Sequence, residues 1–273
     1  MRSRSRAVKA PLGPEPTAWL NKVPEVTLSF WVIKIMSTTV GETAADYLAV
    51  NWGWGLKTTC LVMSALLASA LYLQVHARRY TPWAYWLTVV LVSIVGTQIT
   101  DQLTDGFGVS LTVSTLVFSA ALGILLTVWY RVEHTLSIQS ITSRRRELFY
   151  WATILCTFAL GTAAGDLFTE ALELGFTWGV AVFGTLIALM YAIWKSGGPA
   201  VATFWGGYVL TRPFGAALGD LLTQPGASGG LGMGTMWTSA LFLCGIMALV
   251  IRAQFAASGS VSRAVGGIDV QDN

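Results

Sequence analysis

The chain has 273 residues, of which 54% are hydrophobic and only 11% are charged, and its mean hydropathy is +0.60. A water-soluble domain carries about 25% charged residues, so this deficit excludes an ordinary soluble globule and points to lipid as the solvent for much of the chain. The net charge of +3 makes no case for a nucleic-acid partner, because the basic residues fall between apolar runs, where they act as loop anchors.

Residues 1–22 are basic and proline-bearing, without the short apolar core of a signal peptide, and read as a disordered cytoplasmic arm. A single transmembrane domain is expected over residues 23–255, with repeats at about 24–76, 82–131, 147–195 and 200–255. Residues 256–273, rich in glycine and serine, read as a disordered cytoplasmic tail. Within the domain, Leu56–Val75, Thr112–Trp129, Trp178–Trp194 and Met233–Ile251 are nearly charge-free runs. Each approaches the roughly 20 apolar residues that span a bilayer. The segment before each is nearly as apolar but carries acids. The expected fold class is therefore all-α, a polytopic bundle of eight transmembrane helices.

Arg2, Arg4, Arg6, Lys9 and Lys22 precede the first helix, and Arg78 and Arg79 follow the second. Arg131 and Arg144, Arg145 and Arg146 follow the fourth, Lys195 the sixth, and Arg252 and Arg263 the eighth; the other connections contain only Lys57. The positive-inside rule places both termini in the cytoplasm. Cys60, Cys156 and Cys244 sit in apolar segments without a CxxC pair and read as small buried hydrophobes. His76 and His134 fall in connections, which argues against a haem protein.

Four segments share the pattern aromatic–Trp–x9–Gly–x4–Asp: Phe30-Trp31…Gly41…Asp46, Tyr85-Trp86…Gly96…Asp101, Tyr150-Trp151…Gly161…Asp166 and Phe204-Trp205…Gly215…Asp220. Each copy holds two helices, so all four enter the membrane in the same direction, as parallel repeats. The acid-bearing odd helices should form an inner ring, with the even helices outside. Trp31, Trp86, Trp151 and Trp205 are expected at the cytoplasmic interface. Each aspartate follows its tryptophan by about 22 Å of helix, in the outer third of the bilayer core. Gly41, Gly96, Gly161, Gly165, Gly215 and Gly219 are expected where helices pack closely.

Intramembrane carboxylates are costly and need partners. Glu42, Asp105 and Glu170 stand four residues from Asp46, Asp101 and Asp166, on the same helix face, while the fourth copy has Gln224 after Asp220. Thr39, Thr43, Thr97, Thr100, Thr104, Thr162 and Thr169 add hydroxyl oxygens. Such oxygen-only sets suit protons or hard divalent cations, with Asp46, Asp101, Asp166 and Asp220 as the candidate metal site. The structural alternative has the aspartates binding loop amides or pairing with Lys34 and Arg212. Lys34, close to Trp31, is expected to snorkel to the interface. Arg212, before Pro213, lies deeper and reads as an anion contact or counter-ion. The Gly-rich loop from Gln224 to Gly234 lacks a phosphate-binding pattern and reads as a flexible extracytoplasmic loop or a re-entrant cap.

Trp31, Trp86, Trp151 and Trp205, with Lys22-Val-Pro-Glu-Val, Gly41-Glu-Thr-Ala-Ala-Asp46, Gly161-Thr-Ala-Ala-Gly-Asp166 and Thr211-Arg-Pro, resemble a family of bacterial membrane proteins. That family, of unknown function, is built from four tandem two-helix repeats, each with a characteristic tryptophan. The resemblance covers about residues 20–255 and implies a multi-pass protein of the bacterial inner membrane, but no activity. From the residues, the leading expectation is a transporter or channel-like protein for a divalent or proton-coupled cation. The site would comprise Asp46, Asp101, Asp166, Asp220, Glu42, Asp105, Glu170 and Arg212. A membrane scaffold or sensor with a structural polar ring is the alternative. An enzyme acting on a lipid-linked substrate has least support, because it would need a nucleophile or metal-ligand set and nothing beyond the paired carboxylates speaks for one. The expected partners are the lipid bilayer and, as a candidate, further copies of the chain; a bound divalent cation is the one candidate cofactor.

Overall fold

Helix starts follow from capping residues. Thr27 accepts the amide of Phe30 at 3.3 Å to open α1 (Leu28–Asp46), and Ser110 accepts that of Val113 to open α4 (Leu111–Glu133). Ser143 caps α5 (Arg144–Asp166) in the same way, and Pro82 stands in the first turn of α3 (Pro82–Asp101), where its missing amide hydrogen is not needed. The remaining helices are α2 (Gly55–His76), α6 (Gly175–Lys195), α7 (Ala200–Thr223) and α8 (Thr235–Gly266). The computed structural model describes residues 21–77 and 79–266, with backbone alone for residue 170 and residues 257–266. Most of the expected N-terminal arm, Arg78 and residues 267–273 lie outside these. Among the described residues there are eight α-helices and no strand. The last helix continues to Gly266, past the expected domain boundary at residue 255.

In three repeats the helix does not stop at its aspartate but widens into one π-helical turn: Tyr47–Asn51, Gln102–Gly106 and Leu167–Ala171. Such turns relieve an inserted residue and occur often at functional sites. In repeats one and three the chain then reverses through Gly55 and Gly175, whose positive φ of 74° and 77° only glycine adopts readily. The fourth repeat differs. There α7 runs on to Thr223 and the Gly-rich loop folds back onto its end, Leu231 and Met233 donating to the carbonyls of Leu221 and Leu222 at 2.7 and 2.9 Å.

The four odd helices form a closed ring, α1 against α3, α3 against α5, α5 against α7 and α7 against α1. Each even helix packs outside it, on the odd helix of the following repeat: α2 on α3, α4 on α5, α6 on α7, and α8 back on α1. The spanning stretch of α3 is 78% buried and that of α8 only 6%, so the outer helices present their leucines, valines and tryptophans to lipid. Six helices are long and apolar enough to cross a membrane, namely α2 to α6 and α8. The other two, α1 and α7, are interrupted by Lys34, Glu42, Arg212 and Asp220, all buried inside the ring. The protein is a multi-helix membrane bundle of four tandem helix pairs.

The repeat glycines set the ring's spacing. A Cβ at Gly41 would overlap Ser93, one at Gly96 would come within 2.5 Å of the Phe158 Cβ, one at Gly161 would overlap Arg212, and one at Gly215 would lie 2.7 Å from Thr38. Each glycine thus meets the next inner helix at the residue three positions before that helix's own glycine. The same handshake occurs four times and closes the ring. Gly165 and Gly219 make ordinary contacts of 3.4 and 3.5 Å with Pro213 and Thr39. Close backbone approach through small residues is the main source of helix association in lipid, where no hydrophobic drive operates between helices.

The glycine contacts make a measurable prediction. Gly96→Ala should destabilise the protein by about 1–3 kcal/mol through overpacking. Gly123→Ala on the outer helix α4, where no atom lies within 4 Å, should be neutral or stabilising by up to about 1 kcal/mol. Thermal unfolding of both variants in one detergent checks this, and equal midpoints would remove the packing role.

Candidate functional site

Counting from the aromatic residue before each tryptophan, every fourth residue of an inner helix faces the axis. The four stripes are Phe30-Lys34-Thr38-Glu42-Asp46, Tyr85-Val89-Ser93-Thr97-Asp101, Tyr150-Ile154-Phe158-Thr162-Asp166 and Phe204-Tyr208-Arg212-Ala216-Asp220. A four-residue step overshoots a helical turn by about 40°, so such a stripe winds slowly around its helix. Five layers of four side chains result.

The first layer is an aromatic plug. Phe30 meets Trp86, Tyr85 meets Trp151, Tyr150 meets Trp205 and Phe204 meets Trp31, with ring centroids 5.7, 5.4, 6.3 and 5.6 Å apart. The hydroxyls of Tyr85 and Tyr150 hydrogen-bond across it. The tryptophans were expected as an interface belt; instead Trp86, Trp151 and Trp205 are buried, and Trp31 is half-buried. Each indole fills the wedge between neighbouring inner helices, and Trp205 donates to the carbonyl of Leu136 at 3.0 Å. Ring–ring packing, worth about 0.5–1.5 kcal/mol per pair beyond burial, takes the place of the lipid headgroup contact.

The middle of the bundle holds two buried basic side chains. Lys34 does not snorkel. It is 1% exposed, with Nζ 3.9 Å from the centre of the Phe158 ring, 4.4 Å from that of Tyr208 and 3.3 Å from Thr38 Oγ1. Phe158 belongs to α5, diagonally across from α1, so the lysine reaches over the axis rather than out of it. Cation–π attraction is strongest at such a desolvated position. One layer on, Arg212 Nη2 bonds Glu42 at 2.6 Å and Thr162 Oγ1 at 2.7 Å, and also Thr97 Oγ1. Glu42, Thr97 and Thr162 are the three equivalents of one layer, on α1, α3 and α5. The fourth equivalent, beside the arginine on α7, is Ala216, which leaves room for the guanidinium. Thr97 and Thr162, expected as oxygen ligands for a metal, serve the arginine. Nε and Nη1 of Arg212 have no hydrogen-bond partner among the described residues.

The last layer opens into a cavity of about 260 Å³. Asp46, Asp101, Asp166 and Asp220, one from each repeat, line it together with Glu42, Asp105, Thr104 and Gln224, and the apolar side chains of Ala49, Val50, Leu56 and Leu111 complete the wall. Six of the expected acidic residues are thus brought to one place. Arg212 stands beneath them, connected through Glu42. The side chain of Glu170 lies outside the described residues. Among the described residues, no three acidic, histidine or cysteine side chains converge closely enough to hold a metal ion. The four aspartates therefore surround a shared space rather than form a ready-made chelate. What the sequence reading missed is the depth of Lys34 and its place with Tyr208 and Phe158 on the axis. The four-residue stripe was the signal for it.

Comparison with known proteins agrees with the repeat. No curated protein and no solved structure matches the chain. The family described as Repeat of Unknown Function (DUF347) matches residues 29–80, 84–135, 149–196 and 203–258, one match for each helix pair. With most of its length matched in four consecutive copies, the chain belongs to the family built from this repeat of unknown function.

Proposed function

We propose that the protein is a membrane carrier that takes a cation into the carboxylate cavity. The observation that carries this reading is the meeting of all four repeat aspartates, with Glu42 and Asp105, around one space at one end of the bundle. Six carboxyl groups against one guanidinium give that space an acidic lining suited to positive charge, and intramembrane acids are retained mainly where they meet a substrate, an ion or a counter-charge.

A continuous cation channel fits less well. A cation leaving the cavity along the axis would meet Arg212, then Lys34, then the aromatic plug. The cavity is blind in this conformation, as in a carrier that exposes its site to one side at a time. Arg212 acts as a tethered cation that holds Glu42 until the substrate competes for it. The chain's basic residues, Arg79, Arg131, Arg144 to Arg146, Lys195 and Arg252, lie at the aromatic end of the helices, and Lys57 lies at the other. The positive-inside rule then turns the aromatic plug to the cytoplasm and the cavity outward. The mixed wall, and the lack of a chelating trio among the described residues, favour a hydrated or organic cation, or a proton, over a bare metal ion.

A structural polar core is the competing reading, and the bonds from Arg212 to three other helices favour it. Flux in proteoliposomes separates the two. Wild type should move at least one cation from a panel of protons, alkali ions, divalent metals and organic amines at least tenfold above empty vesicles. The Asp101→Asn, Asp166→Asn double variant should fall to background while remaining folded. Background flux in both proteins for every cation would leave only the structural reading.

The central pair yields a second prediction. Removing one partner of a buried ion pair costs about 3–5 kcal/mol because the other charge is stranded. Arg212→Met and Glu42→Gln should each destabilise by that order, and the double variant should recover a substantial part of the loss. Unfolding midpoints across the full double-mutant cycle measure the coupling. Additive losses would show that the pair does not act as a unit.

A further inference from the structure

We infer that the groove between α4 and α5 is a binding site for one anionic phospholipid of the bilayer, its acyl chain in the groove and its phosphate at Arg144 and Arg145. The groove encloses about 520 Å³ on the outer surface, far from the acidic cavity, and is lined by Leu125, Val132, Leu148, Phe149 and Ala152 with Arg145 among them. In its wall the Phe149 ring lies parallel to that of the fully buried Trp129, with a 4° interplanar angle and centroids 6.2 Å apart. Ala152 lies two turns beyond Arg145, about 10 Å along the helix. The apolar part therefore runs into the hydrocarbon layer while the arginine stands at its edge. That is the shape of one lipid: a charged head above a chain.

Charge complementarity identifies the occupant as anionic. Arg144, Arg145 and Arg146 form the first turn of α5, at the positive end of the helix dipole. Cations are disfavoured there unless an anion joins them. Local acids supply too little. Glu133 is shared between Arg145 at 2.5 Å and Arg146 at 2.7 Å, and Glu147 is taken by Lys22 at 2.7 Å. Arg144 and Arg131 have no ion pair among the described residues. Arg145 uses only its Nε on Glu133, so the rest of its guanidinium can meet a phosphate, a geometry it matches with two parallel bonds. Basic pockets between spanning helices at this level are the usual form of a headgroup site.

The test uses full-length protein in detergent with added phosphatidylglycerol, phosphatidylcholine or inorganic phosphate, read by thermal unfolding and by native mass spectrometry. Phosphatidylglycerol should raise the midpoint by several degrees more than phosphatidylcholine and should remain bound as one lipid per chain. R144Q/R145Q should lose that increment and retain roughly tenfold less lipid. Ala152→Trp, at an exposed position, fills the groove with the arginines intact and should lose it too. Equal shifts from phosphatidylcholine, or full retention by Ala152→Trp, would overturn the proposal. An equal shift from inorganic phosphate would reduce the groove to a bare anion site and overturn it as well.

Discussion

A guanidinium buried at the centre of the bundle organises everything around it. Arg212 is 0% exposed, and its Nη2 is bonded to one residue from each of the other three inner helices. Moving such a charge out of water is costly, and only close, correctly directed partners compensate. The sequence makes room for it in several ways at once. Gly161 has no Cβ, so the arginine stem lies against the α5 backbone. Ala216 is the small member of the layer the guanidinium enters. Pro213 stands beside it inside α7 and lacks an amide hydrogen, which removes a backbone bond in the helix that carries the charge. Glu42, the one acid in that layer, is on α1, the first helix of the chain, so this interaction joins repeat one to repeat four.

The outer helices close the same circle by another route. Because α2, α4, α6 and α8 each cross to the next repeat, no helix pair forms a complete unit by itself. The last outer helix can pack only by returning to α1, and the hydroxyl of Ser239 on α8 meets that of Thr43 on α1 at 2.6 Å. Four glycine handshakes and four aromatic pairs repeat the closure at two depths. Four-fold packing of the backbone therefore coexists with axial side chains that are identical only in the aspartate layer and share an aromatic type only in the first. Symmetry fixes the scaffold, and departures from it fix the charge distribution.

The repeat, the glycines and the aspartates were legible because their spacing is invariant and each has one dominant physical reason: close approach for glycine, the expense of a carboxylate in lipid for aspartate. The inner and outer rings were legible from the same contrast in composition. The tryptophans misled because an interface preference is a property of isolated spanning helices, and here neighbouring helices offer aromatic partners that a single segment cannot reveal. Lys34 misled for a related reason. Read by its distance from Trp31 it snorkels; read with Phe30, Thr38, Glu42 and Asp46 it belongs to a stripe that leads inward. The π turns left no signature, since they depend on how the chain leaves the ring. The continuation of α8 to Gly266 runs through a Ser- and Gly-containing stretch whose composition reads as tail.

Along the axis, then, the side chains run from acidic at the cavity to basic at Arg212 and Lys34 and to aromatic rings at the far end. In the carrier proposed above, a cation drawn into the mouth would meet a barrier at the bottom, so attraction and passage are separate problems. Attraction needs only the carboxylates. Passage needs Glu42 to leave Arg212, which strands a buried guanidinium unless another anion takes it. The candidate acceptors are the aspartates that line the cavity, Asp101 foremost because it shares α3 with Thr97, already an Arg212 partner. Exchange of Arg212 between Glu42 and a cavity aspartate would tie movement of the arginine to the charge state of the site, whether a proton or a larger cation sets that state. In a strictly four-fold ring no such exchange exists, because every layer would carry the same charge on all sides. The single arginine in the fourth repeat breaks the symmetry of the acidic vestibule at the layer beneath it.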